Sequence, residues 1–170
     1  TNSKAINNLA IIYMDCGNYY ESENLFIKVL SIESDYMTYH NLGVLHYIQR
    51  KYNSSIQYLV KALEVNPSYR ESIIQLSHLL CELPIDFVFN GNENIKKIYT
   101  LLFESDLIDH DLISKNALYH LFESTYFDSI ICALDTNNPL EDSNVKSFIE
   151  NDLLILIFNK SLCFNIKVET

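Results

Sequence analysis

The chain has 170 residues, with 12 Lys+Arg against 22 Asp+Glu and a formal net charge of −10. At 48% apolar and 20% charged residues the composition is globular, and the length suits one domain of ordinary size. Three Gly and three Pro are too few for a turn-rich sandwich or a Gly-cradled nucleotide site, and an isoelectric point near 4.8 opposes an electrostatic grip on nucleic acid.

The first element expected is a helix with Ile6, Leu9, Ala10 and Tyr13 on one face of a 3.6-residue period. Cys16-Gly17-Asn18 breaks it, since glycine takes the positive φ that a helix end often needs. A second helix is expected from about Tyr19 to Ile32, with Ser22, Phe26, Val29 and Leu30 facing inward. Adding 33 to these positions gives a second copy: Tyr39, Leu42, Gly43 and His46, then Arg50, Tyr52, Ser55, Leu59, Ala62 and Leu63. Ser34 and Pro67 close the two copies at equivalent places. Leu9/Leu42, Tyr19/Tyr52, Ser22/Ser55 and Leu30/Leu63 are identical across the repeat. Small Ser22 and Ser55 allow close approach of the two helices in each pair. Pro67 ends the second pair, with Ser68 as the candidate cap of the next helix. A third copy opens with Ile73, Leu76, Ser77 and Leu80 and fails at Pro84.

Beyond Pro84 the repeat phase is lost, and Asn90-Gly91-Asn92 marks a turn. A helix carrying Ile95, Ile98, Leu101 and Leu102 is expected to end near Ser105. Another begins at Asp109 or His110, with Leu112, Ile113, Leu118 and Leu121 on its apolar side. Tyr126 to Leu134 reads as a short helix, although Ile130-Ile131 also suits a strand. Thr136-Asn137-Asn138-Pro139 breaks the chain, and Ser143 is placed to cap a last helix through Phe158. The expected division is a repeat region over 1–84 (copies 3–35 and 36–69, half copy 70–84) and a helical capping region over 85–170. No helix pair can bury its apolar face alone, so stacking into a short solenoid is the stable arrangement.

The four cysteines, Cys16, Cys81, Cys132 and Cys163, form no CxxC pair and sit among apolar residues, as reduced, buried cytosolic thiols do. No segment reaches the roughly 20 apolar residues of a membrane span, no secretory leader is visible, and no basic amphipathic helix suggests a membrane surface. The expected location is cytoplasmic. No residue pattern supports catalysis, a metal or a cofactor: the histidines 40, 46, 78, 110 and 120 form no HExxH, and no glycine pattern cradles a phosphate. Asp106, Asp109 and Asp111 read as helix caps and dipole complements.

The run Tyr39-x-x-Leu42-Gly43-x-x-His46, then Ser55-x-x-x-Leu59 and Pro67, resembles the tetratricopeptide repeat (TPR) family, with Ile6 and Ser34 in the equivalent slots of the first copy. The resemblance spans residues 3 to about 82. It implies an all-α, TPR-like helix-turn-helix solenoid of about two and a half repeats, capped by the C-terminal helical region. It also implies protein–protein recognition: first helices of successive repeats would line a concave groove for an extended peptide or a partner helix. Carried onto this chain, the groove residues are Asn8, Ile11 and Asp15 in the first repeat, Asn41, Val44 and Tyr47 in the second, and Gln75, His78 and Glu82 in the third. Asn7, Met14, His40, Ile48, Glu71, Ile74 and Cys81 complete the lining. Asn8, Asn41 and Gln75 share one repeat position, and side-chain amides can donate to and accept from any peptide backbone. The carboxylate clamp of chaperone-binding members is absent: the places hold Asn7, Ile11, Asn41, Glu71 and Gln75, and Glu71 repels a carboxylate. Asp15, Glu71 and Glu82 favour a neutral or basic protein or peptide ligand.

A second resemblance lies in Ile149–Lys160. Asp152-Leu153-Leu154 and Lys160 look like the segment joining such repeats to an S-adenosylmethionine-dependent methyltransferase domain, although the proline of that pattern is missing. It implies a substrate-recruiting region whose catalytic domain lies beyond residue 170. Thr1 in place of Met fits a piece of a longer polypeptide. The alternatives are a freestanding adaptor and a scaffold that self-associates through the edge of repeat one.

Overall fold

The structure is a computed structural model that describes residues 3–84, 87–89, 95–110, 113–114 and 116–117. All regular structure among them is helical: α1 (Ser3–Asp15), α2 (Tyr19–Leu30), α3 (Tyr36–Ile48), α4 (Tyr52–Val65), α5 (Arg70–Glu82) and α6 (Ile95–Phe103). The expectations for Tyr126–Leu134, for the helix after Ser143 and for Ile149–Lys160 fall outside the described residues, as does the Asn90-Gly91-Asn92 turn. No helix of the described residues is long and apolar enough to cross a membrane.

The chain divides into two compact units within the last turn of α5, after Leu79. In the first, α1 packs on α2, α2 on α3 and α3 on α4, the succession of a helix-turn-helix solenoid. Its core is formed by Ala10, Phe26, Leu42 and Leu45, with Ile11, Met14, Leu25 and Tyr58 packed around them, and continues through Ile56, Leu59, Ala62 and Leu63. Burying such side chains contributes about 1.5–3 kcal/mol each and drives the pairing.

The two turns that reverse the chain within each pair are built alike. After α1, the Asn18 N–H donates to the Tyr13 carbonyl at 2.8 Å and the Gly17 N–H to Met14 at 3.0 Å. After α3, the Lys51 N–H donates to His46 at 2.9 Å and the Arg50 N–H to Tyr47 at 2.9 Å. Both are Schellman closures, which place one residue in the left-handed region. Gly17 takes φ 79° there, and Arg50 takes φ 59° in the second copy.

Two local expectations are corrected. The second helix stops at Leu30 instead of Ile32: Ser31 is its C-cap, its N–H donating to the Ile27 carbonyl at 2.9 Å and its hydroxyl to the Lys28 carbonyl at 2.7 Å. Asp35 then caps α3: its carboxylate accepts from the Thr38 N–H at 2.9 Å and the Thr38 hydroxyl at 2.6 Å. Ser68 is not the residue before α5. Its N–H donates to Asn66 Oδ1 at 3.3 Å in an Asx-type turn, which carries the chain one residue further and leaves Tyr69 before Arg70.

In the second unit, α6 buries Ile98, Tyr99, Leu102 and Phe103. Leu80, Leu83, Ile113 and Ala117 are buried too, and the Asn116 amide donates to the Leu80 carbonyl at 2.8 Å. His110 stacks on Phe103 with ring centres 5.5 Å apart. Burial raises the Tyr99 hydroxyl above its usual range, with the Cys81 thiol adding to the shift.

The cysteines depart from their expected burial. Cys81 is half-buried and Cys16 is exposed, both as free thiols. Leu9 is likewise 44% exposed, because no described helix covers its side of α1. Cys132 and Cys163 fall outside the described residues.

Candidate functional site

The two helices of each repeat approach closely, which sets the first helices side by side. The Ser22 hydroxyl donates to the Ala10 carbonyl at 2.8 Å, and its counterpart Ser55 donates to the Gly43 carbonyl at 2.8 Å. Both serines are fully buried, so each bond joins the middle of a first helix to the start of its second. Gly43 tightens the second pair further: a Cβ there would fall 2.7 Å from Leu59 Cγ.

A second set of polar contacts joins one first helix to the next. The Asn41 amide of α3 donates to Asn7 Oδ1 of α1 at 3.3 Å. Thr38 Oγ1 lies 3.2 Å from the same Asn7 oxygen. One repeat on, His40 shares a 3.0 Å hydrogen bond through Nδ1 with Ser72 Oγ of α5. Asn7 and His40 occupy the same repeat position, as do Thr38 and Ser72. Tyr69 adds edge-on contacts to Tyr36 and His40, with ring centres 4.8 and 5.3 Å away. Neither Thr38 nor Ser72 is among the groove residues expected from the sequence. Their signal was a small hydroxyl residue recurring one turn before Leu42 and Leu76.

Against this frame the expected groove residues sort by exposure. Asn8 and Asp15 of α1, His78 of α5 and Glu82 in the last turn of α5 are exposed. Ile11, Val44, Tyr47, Asn41 and Gln75 are half-buried. Ile11 packs against the core, and Tyr47 lies 6.3 Å from Tyr52, ring centre to ring centre. Within the amide ladder, Asn41 is engaged with Asn7 while Asn8 stays exposed. A cleft of about 450 Å³ opens at the same end, lined by Lys4, Asn7, Asn8, Glu33, Asp35 and Met37 among others. It takes in Asn7 and Asn8 but none of the other expected groove residues.

Two histidines sit inside this framework. Burial lowers the pKa of His40, partly opposed by the Glu71 carboxylate. Burial also lowers that of His46, which Glu23 opposes and Lys51 reinforces. His46 stacks on Tyr58 at 5.1 Å and its Nε2 lies 3.5 Å from Glu23. Its two ring nitrogens have no hydrogen-bond partner. Among the described residues no group of His, Cys, Asp or Glu side chains is arranged to hold a metal ion.

Stacked helix pairs whose first helices are hydrogen-bonded in sequence define a helical-repeat protein. Family profiles for the tetratricopeptide repeat match residues 4–32 and 37–69, so these two helix pairs are tetratricopeptide repeats. Repeats of this kind are in general protein–protein interaction modules. No curated protein matches the chain.

Proposed function

We propose that the face formed by the first helices binds a protein ligand as an extended peptide or a partner helix. Asn8 pairs with the ligand backbone, with Asn41 and Gln75 along the same line. Ile11, Val44 and Tyr47 supply apolar contact. The observation that carries this reading is the cross-linking of first helices through Asn7–Asn41 and His40–Ser72. Such links hold adjacent recognition side chains in fixed register, which lowers the ordering cost of binding. The ligand is neutral or basic, since Asp15 and Glu71 are exposed on these helices and Glu33 and Asp35 line the adjoining cleft.

Selection of peptides from a random library on the 170-residue chain, followed by calorimetry, tests the proposal. Asn8→Ala and Tyr47→Ala should each weaken a selected peptide by about tenfold, and for exposed Asn8 circular dichroism and melting temperature stay unchanged. A selected peptide whose affinity ignores both substitutions would place binding elsewhere, and failure to select any peptide would count against the groove itself.

A further inference from the structure

We propose that Glu71, in the first turn of α5, seats a cationic side chain of the bound peptide against the ring of Tyr69, and that a proton on His40 competes with that cation. This rests on binding by the first-helix face and adds the ligand's chemistry and its regulation. Lys4, Met37 and Glu71 occupy one repeat position, so the carboxylate there is peculiar to α5. Glu71 is exposed, and among the described residues no ion pair engages it. Burial raises the pKa of Tyr69, and the Glu71 carboxylate adds to the shift, followed by Tyr36 and Asp35. At His40 burial lowers the pKa and the same carboxylate opposes it. Glu71 therefore stands beside both rings. Tyr69 in turn meets Tyr36 and His40 edge-on, with ring centres 4.8 and 5.3 Å away. Aromatic rings bordered by the charges of Glu71 and Asp35 attract an ammonium or guanidinium group through ring face and carboxylate together. All five residues belong to the first compact unit.

The competition follows from what surrounds His40. Glu71, Ser72 and the Tyr69 ring face it from the α5 side, with Tyr36 one turn back on its own helix. From α1, uncharged Asn7 reaches α3. Glu23 of α2 acts on His46 instead, and Lys61 of α4 lies over Tyr58. Glu71 is thus the charge that draws a proton to His40, against burial. A ligand cation on Glu71 cancels that pull, so the complex holds the His40 proton less tightly than the free chain does. By reciprocity, a proton on His40 weakens the ligand by the same factor. Affinity is full above the ordinary histidine value of about 6.5 and falls as pH drops through the lowered value of the free chain. The bond to Ser72 survives, because Nδ1–H of the charged ring donates to Ser72 Oγ. The charge changes while α3 and α5 stay joined.

Peptides selected on the 170-residue chain at about pH 7.5, and measured by calorimetry, test both parts. They should share a Lys or Arg, and its replacement by Met should weaken binding about tenfold. Glu71→Gln should cost about the same and abolish the further effect of the Met replacement. Its melting temperature should match that of the unaltered chain, since Glu71 is exposed. Affinity for the unaltered chain should fall about fivefold between about pH 7.5 and 5.5. His40→Asn copies Asn7, the residue at the first-repeat position, and should flatten that fall while binding at the higher pH persists. Peptides that respond to Asn8→Ala but not to Glu71→Gln overturn the cation seat and leave groove binding standing. An affinity that ignores pH, or that falls equally in the His40→Asn variant, overturns the competition. Failure to select any peptide overturns this proposal together with the groove binding on which it rests.

Discussion

Gly43 and Ala10 occupy one repeat position, and what lies opposite decides which residue fits. Ala10 shares its core with Phe26. At the counterpart position Leu59 stands so near Gly43 that a Cβ would fall 2.7 and 2.8 Å from its Cγ and Cδ2. Leu59 cannot give way at Cγ without moving its whole side chain, so Gly43→Ala should cost about 1–3 kcal/mol in urea unfolding. The double variant Gly43→Ala with Leu59→Phe copies the first-repeat pair and should lose less than the single change. The histidines give a second residue-scale expectation. His40 and His46 both have lowered pKa values because burial disfavours their charged forms. An unfolded chain protonates them near pH 6.5 and so binds more protons than the folded one just below that value. Their contribution is complete above about pH 6.5 and is lost as pH falls towards the lowered folded values. Melting temperature should therefore drop between about pH 7.5 and 5.5, and His46→Tyr, the residue at the first-repeat position, should reduce the slope without abolishing it.

Each helix pair is closed by the same turn, made from different residues. A left-handed conformation costs an L-residue about 1–2 kcal/mol, and Arg50 bears that cost where Gly17 does not. Arg50→Gly should stabilise the protein by roughly 0.5–1 kcal/mol, read as a higher melting temperature, because relief of strain exceeds the added unfolded-state entropy. The turns and helices were legible because apolar period, glycine and repeat spacing all agree over residues 3–82. Ser22 and Ser55 were legible as points of close approach, although their bonds to the Ala10 and Gly43 carbonyls were not. The end of α2 was missed because Ile32 fits the apolar period while Ser31 and Asp35 act through local polar bonds. Leu9 falls on the apolar face of the period like its counterpart Leu42, yet Leu42 is buried and Leu9 exposed; the pattern fixes which side is apolar, not whether a neighbour covers it. The same limit explains Cys16.

At the scale of the molecule, two tetratricopeptide repeats present their first helices side by side, joined by Asn7–Asn41 and followed by His40–Ser72. The candidate groove was legible only as a set of repeat positions. Its internal bonds depend on which first-helix side chains reach the next helix, and repeat spacing alone does not separate Asn7 from Asn8. That distinction divides two roles: Asn41→Ala should lower stability by about 0.5–1.5 kcal/mol, whereas Asn8→Ala should leave it unchanged and act on binding. The most direct measurement is amide chemical-shift mapping of the 170-residue chain with a selected peptide. Binding by the first-helix face predicts the largest changes at Asn8, Ile11, Asn41, Val44 and Tyr47, with little change along the outer side of α2 at Tyr20 and Ile27. Changes centred on Tyr20 and Ile27, with the first helices undisturbed, would contradict it.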